Sequence, residues 1–192
     1  MKHITLASAS PRRQELLRRI GISSFDICIP QVDESYPTNL SPAQIVEFIS
    51  RKKANAAAKL CPPDEVVITA DTMVFCDDQR LGKPVDEADA LRMLTNLQGR
   101  HHTVYTGVTV LQGDVILTQS ESTEVYFRHA TKEELIAYIS TGEPMDKAGA
   151  YGIQGKGALL VERLNGDFFN VMGLPLLRLS RMLSQFGLHL LT

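Results

Sequence analysis

The chain has 192 residues, 44% of them apolar, and a formal net charge of −2. It is long enough to bury a core, and it lacks the global positive field that recruits nucleic acid, so no nucleic-acid partner is expected. No window approaches the ~20 apolar residues that span a bilayer, so no membrane association is expected either.

Three cysteines, Cys28, Cys61 and Cys76, form no C-x-x-C pair, and their odd number speaks against a disulfide framework. Ala7-Ser8-Ala9 superficially resembles a signal-cleavage site, but the apolar stretch before it is short and Arg12 and Arg13 follow at once. The expected location is the reducing cytoplasm.

In chain order, residues 3–7 read as a short strand running into Ser8-Ala9-Ser10-Pro11 and a helix over 12–20, closed by Gly21. Ser10 is placed as N-cap and Pro11 as the first helical residue. Ser41-Pro42-Ala43-Gln44 has the form of a capping box and opens a helix to about residue 60, ended by Pro62-Pro63. The β-branched run at 65–70 predicts a buried strand with Asp71-Thr72 at its C-terminal end. Residues 75–83 read as a polar turn with a short hairpin, and 86–97 as a helix stopped near Gly99. Residues 103–111 and 115–127 predict paired strands around Gln112-Gly113-Asp114. A second capping box at Thr131 opens a helix to about residue 140. An irregular, glycine-rich stretch over 142–157, a strand over 158–163, a turn at Asn165-Gly166 and a helix over 174–186 complete the chain. The alternation of helices and strands gives an α/β class with a mixed sheet, and residues 1–192 are read as one domain.

Four features resist explanation by packing alone. Arg12 and Arg13 stand at a helix start, where their charge opposes the helix dipole unless an anion sits in front. Lys52 and Lys53 both project from the apolar side of their helix, and periodicity does not say which one points into a site. Asp71 follows a buried strand, where clefts of α/β proteins form, although such a residue also serves as a turn cap. The run from Asp146 to Gly155 is rich in glycine, which permits close approach of backbone to a ligand, while Tyr151 and Ile153 argue against a merely flexible loop. It is neither a Walker loop nor a dinucleotide fingerprint. His101-His102 have no second cluster at metal-ligand spacing, and no G-x-S-x-G elbow supports a serine nucleophile.

Taken together, S-A-S-P-R-R (8–13), V-D-E (32–34), K-A (53–54), A-D-T (70–72), G-K-P (82–84) and D-K-A-G-A-Y-G-I-Q-G (146–155) resemble, in order, the Maf family of nucleotide pyrophosphatases. The resemblance implies an α/β fold with a mixed twisted sheet, flanking helices and two lobes around a cleft, similar to inosine-triphosphatase-like house-cleaning enzymes. It implies hydrolysis of a nucleoside triphosphate to monophosphate and pyrophosphate with a divalent metal, and a homodimer. Asp71 matches the family's catalytic aspartate. Arg12, Thr72 and Gln154 match positions that mark the subgroup acting on dTTP and UTP. Glu34, Lys53 and Lys83 match further cleft residues, and the match selects Lys53 over Lys52.

The chemistry of the residue types agrees. A free aspartate, with a pKa of ~3.9, is a poor base toward bulk water, and a bound metal overcomes this by acidifying the water. Glu34 and Asp71 are the carboxylates expected to hold Mg²⁺ or Mn²⁺, both of which favour oxygen ligands. Arg13, Lys53 and Lys83, with Arg12, would hold phosphates. Ser8 and Ser10 would donate to phosphate oxygens, and Thr72 and Gln154 would read the base. Two alternatives stand beside this expectation: the same chemistry on a modified nucleotide, and a nucleotide-binding regulator of cell division, since the family is also associated with inhibition of septum formation.

Overall fold

The computed structural model describes residues 2–191. Its elements are β1 (Ile4–Leu6), α1 (Pro11–Arg19), β2 (Asp26–Ile27), α2 (Pro42–Ala57), β3 (Val66–Cys76), β4 (Gln79–Leu81), α3 (Glu87–Leu97), β5 (His101–Gln112), β6 (Val115–Phe127), α4 (Lys132–Ile139), β7 (Val161–Asn165), α5 (Phe168–Met172) and α6 (Leu176–Gln185). A seven-stranded sheet runs β2-β1-β3-β5-β6-β7, with β4 paired to β3. β1 is parallel to β2 and β3, whereas β4 on β3 and β7 on β6 are antiparallel, so the sheet is mixed as expected. No helix among the described residues is long and apolar enough to cross a membrane.

The chain forms two compact units. The first comprises the residues up to Asp71, Thr106–Glu121, and Gly173 onward; the second comprises Thr72–Tyr105 and Ser122–Met172. The first is cored by Leu6, Leu16, Leu17, Ile49, Ile68, Leu179 and Leu183, all fully buried. Here α2 lies hard against β5: a Cβ on Gly107 would overlap the carbonyl of Val46, so only glycine fits. A buried hydroxyl network fixes the helix further, with Ser50 Oγ donating to Thr109 Oγ1 at 2.9 Å and Thr69 Oγ1 donating to the Ser50 carbonyl at 2.7 Å. In the second unit, Leu94 and Leu97 of α3 and Leu135 of α4 are fully buried.

Both predicted capping boxes form: Ser41 with Gln44, and Thr131 with Glu134. Several expectations need correction. β3 does not end before Asp71 but continues to Cys76, because Met73 to Cys76 are themselves buried and Val74 to Cys76 pair with β4 across a turn at Asp77-Asp78. The last strand begins three residues later than expected, since Lys156–Leu160 winds into a 3₁₀ turn first. β2 and α5, two and five residues long, were too short to carry a periodic signal. Ser10 occupies the N-cap of α1, yet its side chain makes no capping hydrogen bond.

Candidate active site

The strand end that matters at Asp71 belongs to β1, not β3. The parallel register runs from Ile4↔Val66 to Leu6↔Ile68, and the Ala7 N–H donates to Ile68 O at 2.8 Å. β1 then leaves the sheet as the turn into α1, while β3 carries on through Asp71. Asp71 is thus a buried strand residue just beyond the end of its parallel neighbour, with its side chain 9% exposed.

That turn is built around Ser8. Ser8 Oγ accepts from the Ser10 N–H and from Arg13 Nη1, each at 3.2 Å. Arg13 Nε donates to the Gly173 carbonyl at 2.8 Å, which fixes the guanidinium. The first turn of α1 carries no acidic residue to meet its dipole. Burial lowers the Arg13 pKa to about 10; Asp71 opposes that shift, Arg12 adds to it, and Glu34 opposes it. The guanidinium therefore stays charged at neutral pH, inside the combined field of Arg12, Glu34 and Asp71.

α2 supplies the link between the carboxylates. Lys53 Nζ lies 2.7 Å from Asp71 Oδ1 and 2.8 Å from Glu34 Oε1. Its stem is anchored by a helix that the Ser50 network locks to β3 and β5. Lys52 turns outward instead, 3.5 Å from Asp33 Oδ2 and over the Phe48 ring. Of the two lysines that periodicity leaves undistinguished, Lys53 meets Asp71 and Lys52 meets Asp33.

Asp71 Oδ2 is buried and has no hydrogen-bond partner among the described residues. A buried carboxylate oxygen normally has one, so this atom faces a position suited to a cation or a water. Two carboxylates meeting at one lysine also form a hard oxygen donor set that suits Mg²⁺ or Mn²⁺. A separate group with metal-ligand proximity, His3, Asp26 and Glu65, contains none of the expected site residues. There His3 Nδ1 is 3.1 Å from Glu65 and Nε2 is 3.6 Å from Asp26, so both ring nitrogens already face a carboxylate.

Thus the first unit brings together Ser8, Arg13, Glu34, Lys53 and Asp71, with Ser10 and Arg12 on the same turn and helix start. Thr72, Lys83 and Gln154 belong to the second unit. Thr72 is half-buried, while Lys83 and Gln154 are exposed. The glycine-rich loop is tied beside Lys83 by the Gly149 N–H, which donates to Gly82 O at 3.0 Å. Tyr151 and Ile153 are buried, so this loop is anchored.

The anchor of Tyr151 was not foreseen. His102, 1% exposed, places Nε2 2.7 Å from the Tyr151 hydroxyl, and Phe127 packs edge-on to both rings. A histidine pair at a strand start offers no sequence signal for this role. Burial, with a smaller contribution from His101, lowers the His102 pKa from 6.5 to about 3. The unfolded chain therefore binds the extra proton between these values, and stability falls as pH drops through that window. His102→Gln is expected to flatten urea-unfolding free energies between about pH 6 and pH 4 by up to ~1.4 kcal/mol per pH unit relative to the unaltered protein. Parallel pH profiles of the two proteins would contradict this.

With an α/β fold and a lysine-bridged carboxylate pair beside a basic helix start, the chain has the make-up of a phosphate-handling protein. A family model described as Maf-like protein matches residues 3–186, and the chain belongs to that family. It is 48% identical over 192 residues to a dTTP/UTP pyrophosphatase of Symbiobacterium thermophilum, covering all of this chain and 98% of that protein. It is 51% identical over 190 residues to a dTTP/UTP pyrophosphatase of Moorella thermoacetica, covering 97% and 96% of the two chains. Among solved structures, a HAM1 protein from Coxiella burnetii shares the fold with a TM-score of 0.51 at 12% identity, over 96% of this chain and all of that one.

Proposed function

We propose that the protein hydrolyses dTTP and UTP to the nucleoside monophosphate and pyrophosphate. The observation that carries the reading is the Lys53 bridge between Asp71 and Glu34 beside Arg13 and the start of α1. Near half-identity over essentially the whole chain to proteins named dTTP/UTP pyrophosphatase supports the substrate assignment. A divalent metal, Mg²⁺ or Mn²⁺, held by Glu34 and Asp71, would acidify the attacking water and offset phosphate charge.

The chain's own residues would act as follows. Lys53 fixes Asp71 through Oδ1, leaving Oδ2 to orient the water and accept its proton. Water oxygen bonds to the α-phosphorus, the bridge to the β-phosphorus breaks, and pyrophosphate leaves with the electron pair. Arg12, Arg13 and Lys83 hold the charge that develops on the leaving group. Ser8 and Ser10 would donate to phosphate oxygens. Thr72 and Gln154 meet the pyrimidine edge, where glutamine's paired donor and acceptor suit the base. The enzyme would work in the cytoplasm as a homodimer, cleaning nucleotide pools.

A panel of triphosphates with Mg²⁺, compared by kcat/KM, tests this reading. dTTP and UTP should lead, with pyrophosphate as the product. Release of orthophosphate would replace the reading with a phosphatase, and a clear lead for a modified nucleotide would move the substrate.

A further inference from the structure

The segment carrying Gln154 is wrapped around a single carboxylate, Glu143, which lies at the start of a 3₁₀ turn, Glu143–Asp146. The Lys156 N–H donates to Glu143 Oε2 at 2.9 Å, and the Gly157 N–H donates to Oε1 at 3.1 Å. The Tyr138 hydroxyl donates to Oε1 at 2.9 Å and accepts from the Gly152 N–H at 3.0 Å. Gln154 therefore sits between two anchored points, Gly152 and Lys156, and its own side chain is exposed. Burial pushes the Glu143 carboxyl upward, but the N–H groups of Gly157 and Lys156, the Tyr138 hydroxyl and Lys147 together hold it below the usual glutamate value.

The fit is close. A Cβ on Gly155 would overlap the Glu143 carboxylate, and one on Gly157 would come within 2.6 Å of the Tyr138 hydroxyl. Lys147 completes the clasp by donating from Nζ to the Glu143 carbonyl at 2.7 Å. Upstream, Ala150 holds a left-handed φ of 60°, a conformation that a non-glycine residue keeps only when its surroundings enforce it. Such an arrangement fixes where the backbone around Gln154 stands.

We propose that Glu143, with Tyr138, is a positioning residue that sets the Gln154 backbone and thereby the discrimination between pyrimidine and purine triphosphates. The proposal rests on the assignment of Gln154 to base reading. Its test is a double-mutant cycle of Glu143→Gln and Gln154→Ala, read as the ratio of kcat/KM for dTTP to that for dGTP. Amide hydrogen exchange at Lys156 and Gly157 is followed alongside.

Glu143→Gln keeps the shape but puts an amide donor where two N–H groups and a hydroxyl already donate. It is expected to lower the substrate ratio by roughly tenfold and to speed exchange at both amides. In the Gln154→Ala background it should change the ratio no further. Tyr138→Phe, which removes one hydroxyl from a buried ring, should move the ratio in the same direction by less, and it serves if Glu143→Gln fails to fold. If Gln154→Ala lowers the ratio while Glu143→Gln and Tyr138→Phe leave it unchanged, or if the effects add independently, the positioning role is overturned and base reading by Gln154 stands. If Gln154→Ala itself leaves the ratio unchanged, the base-reading assignment fails and the positioning role falls with it.

Discussion

Asp71→Asn is expected to lower pyrophosphate release by about 10³-fold or more, with the fold retained. Asparagine has the same shape, and its amide oxygen can still meet Lys53 Nζ, now 2.7 Å from Oδ1. What it lacks is the second anionic oxygen. Oδ2 is buried and without a hydrogen-bond partner among the described residues, and it is the atom given the proton-accepting and metal-facing roles. An amide nitrogen there presents donors to a cation or a water proton, which reverses the interaction. Circular dichroism and a thermal melt should match the unaltered protein, so that lost turnover reports chemistry. A variant that kept full activity would remove Asp71 from the reaction.

Lys53→Met should cost about 10²- to 10³-fold in kcat/KM and also destabilise the chain. The ammonium lies between two carboxylates, one 9% and the other 50% exposed. Removing it leaves the buried Asp71 without the ammonium that contacts Oδ1. Breaking a buried pair costs ~3–5 kcal/mol, and the half-exposed Glu34, which water can screen, brings the expected loss to about 2–3 kcal/mol. Lys52→Met is the matched control, since Lys52 meets the exposed Asp33, the Ser35 carbonyl and the Phe48 ring rather than Asp71. It should change either quantity by less than about twofold or ~0.5 kcal/mol. Initial rates and urea unfolding of both variants check the contrast. Equal effects of the two substitutions would contradict the assignment of Lys53 to the site.

The helices with caps were the most legible part of the fold. Ser41 and Thr131 announced their helices because a capping box is a local signal, complete within four residues. Asp71 was legible as a candidate but not in its setting. The strand containing it runs on because Met73 to Cys76 are buried and the chain turns at Asp77-Asp78 to pair with β4, so the strand ends well past the β-branched run that signalled it. By periodicity the two lysines lie on the same side; the family resemblance selects Lys53, and in the structure Lys53 is the one that meets Asp71 while Lys52 meets Asp33. The Gly107 approach to α2, the Ser50 network and the His102–Tyr151 pair are likewise contacts between remote segments. Glu143 carried no signal of its own. Its role follows from the three groups that converge on it, one of them on α4 and two in the loop. The glycines of this loop read as room for a ligand, whereas those at 155 and 157 make room for the Glu143 carboxylate and the Tyr138 hydroxyl, a fit visible only once the chain is wrapped.

The most direct test of the central claim is hydrolysis of dTTP in water enriched in oxygen-18, with the products separated and their isotope content measured by mass spectrometry. Attack at the α-phosphorus predicts that the label enters dTMP and that pyrophosphate carries none. Label in pyrophosphate, or orthophosphate as the labelled product, would contradict the account.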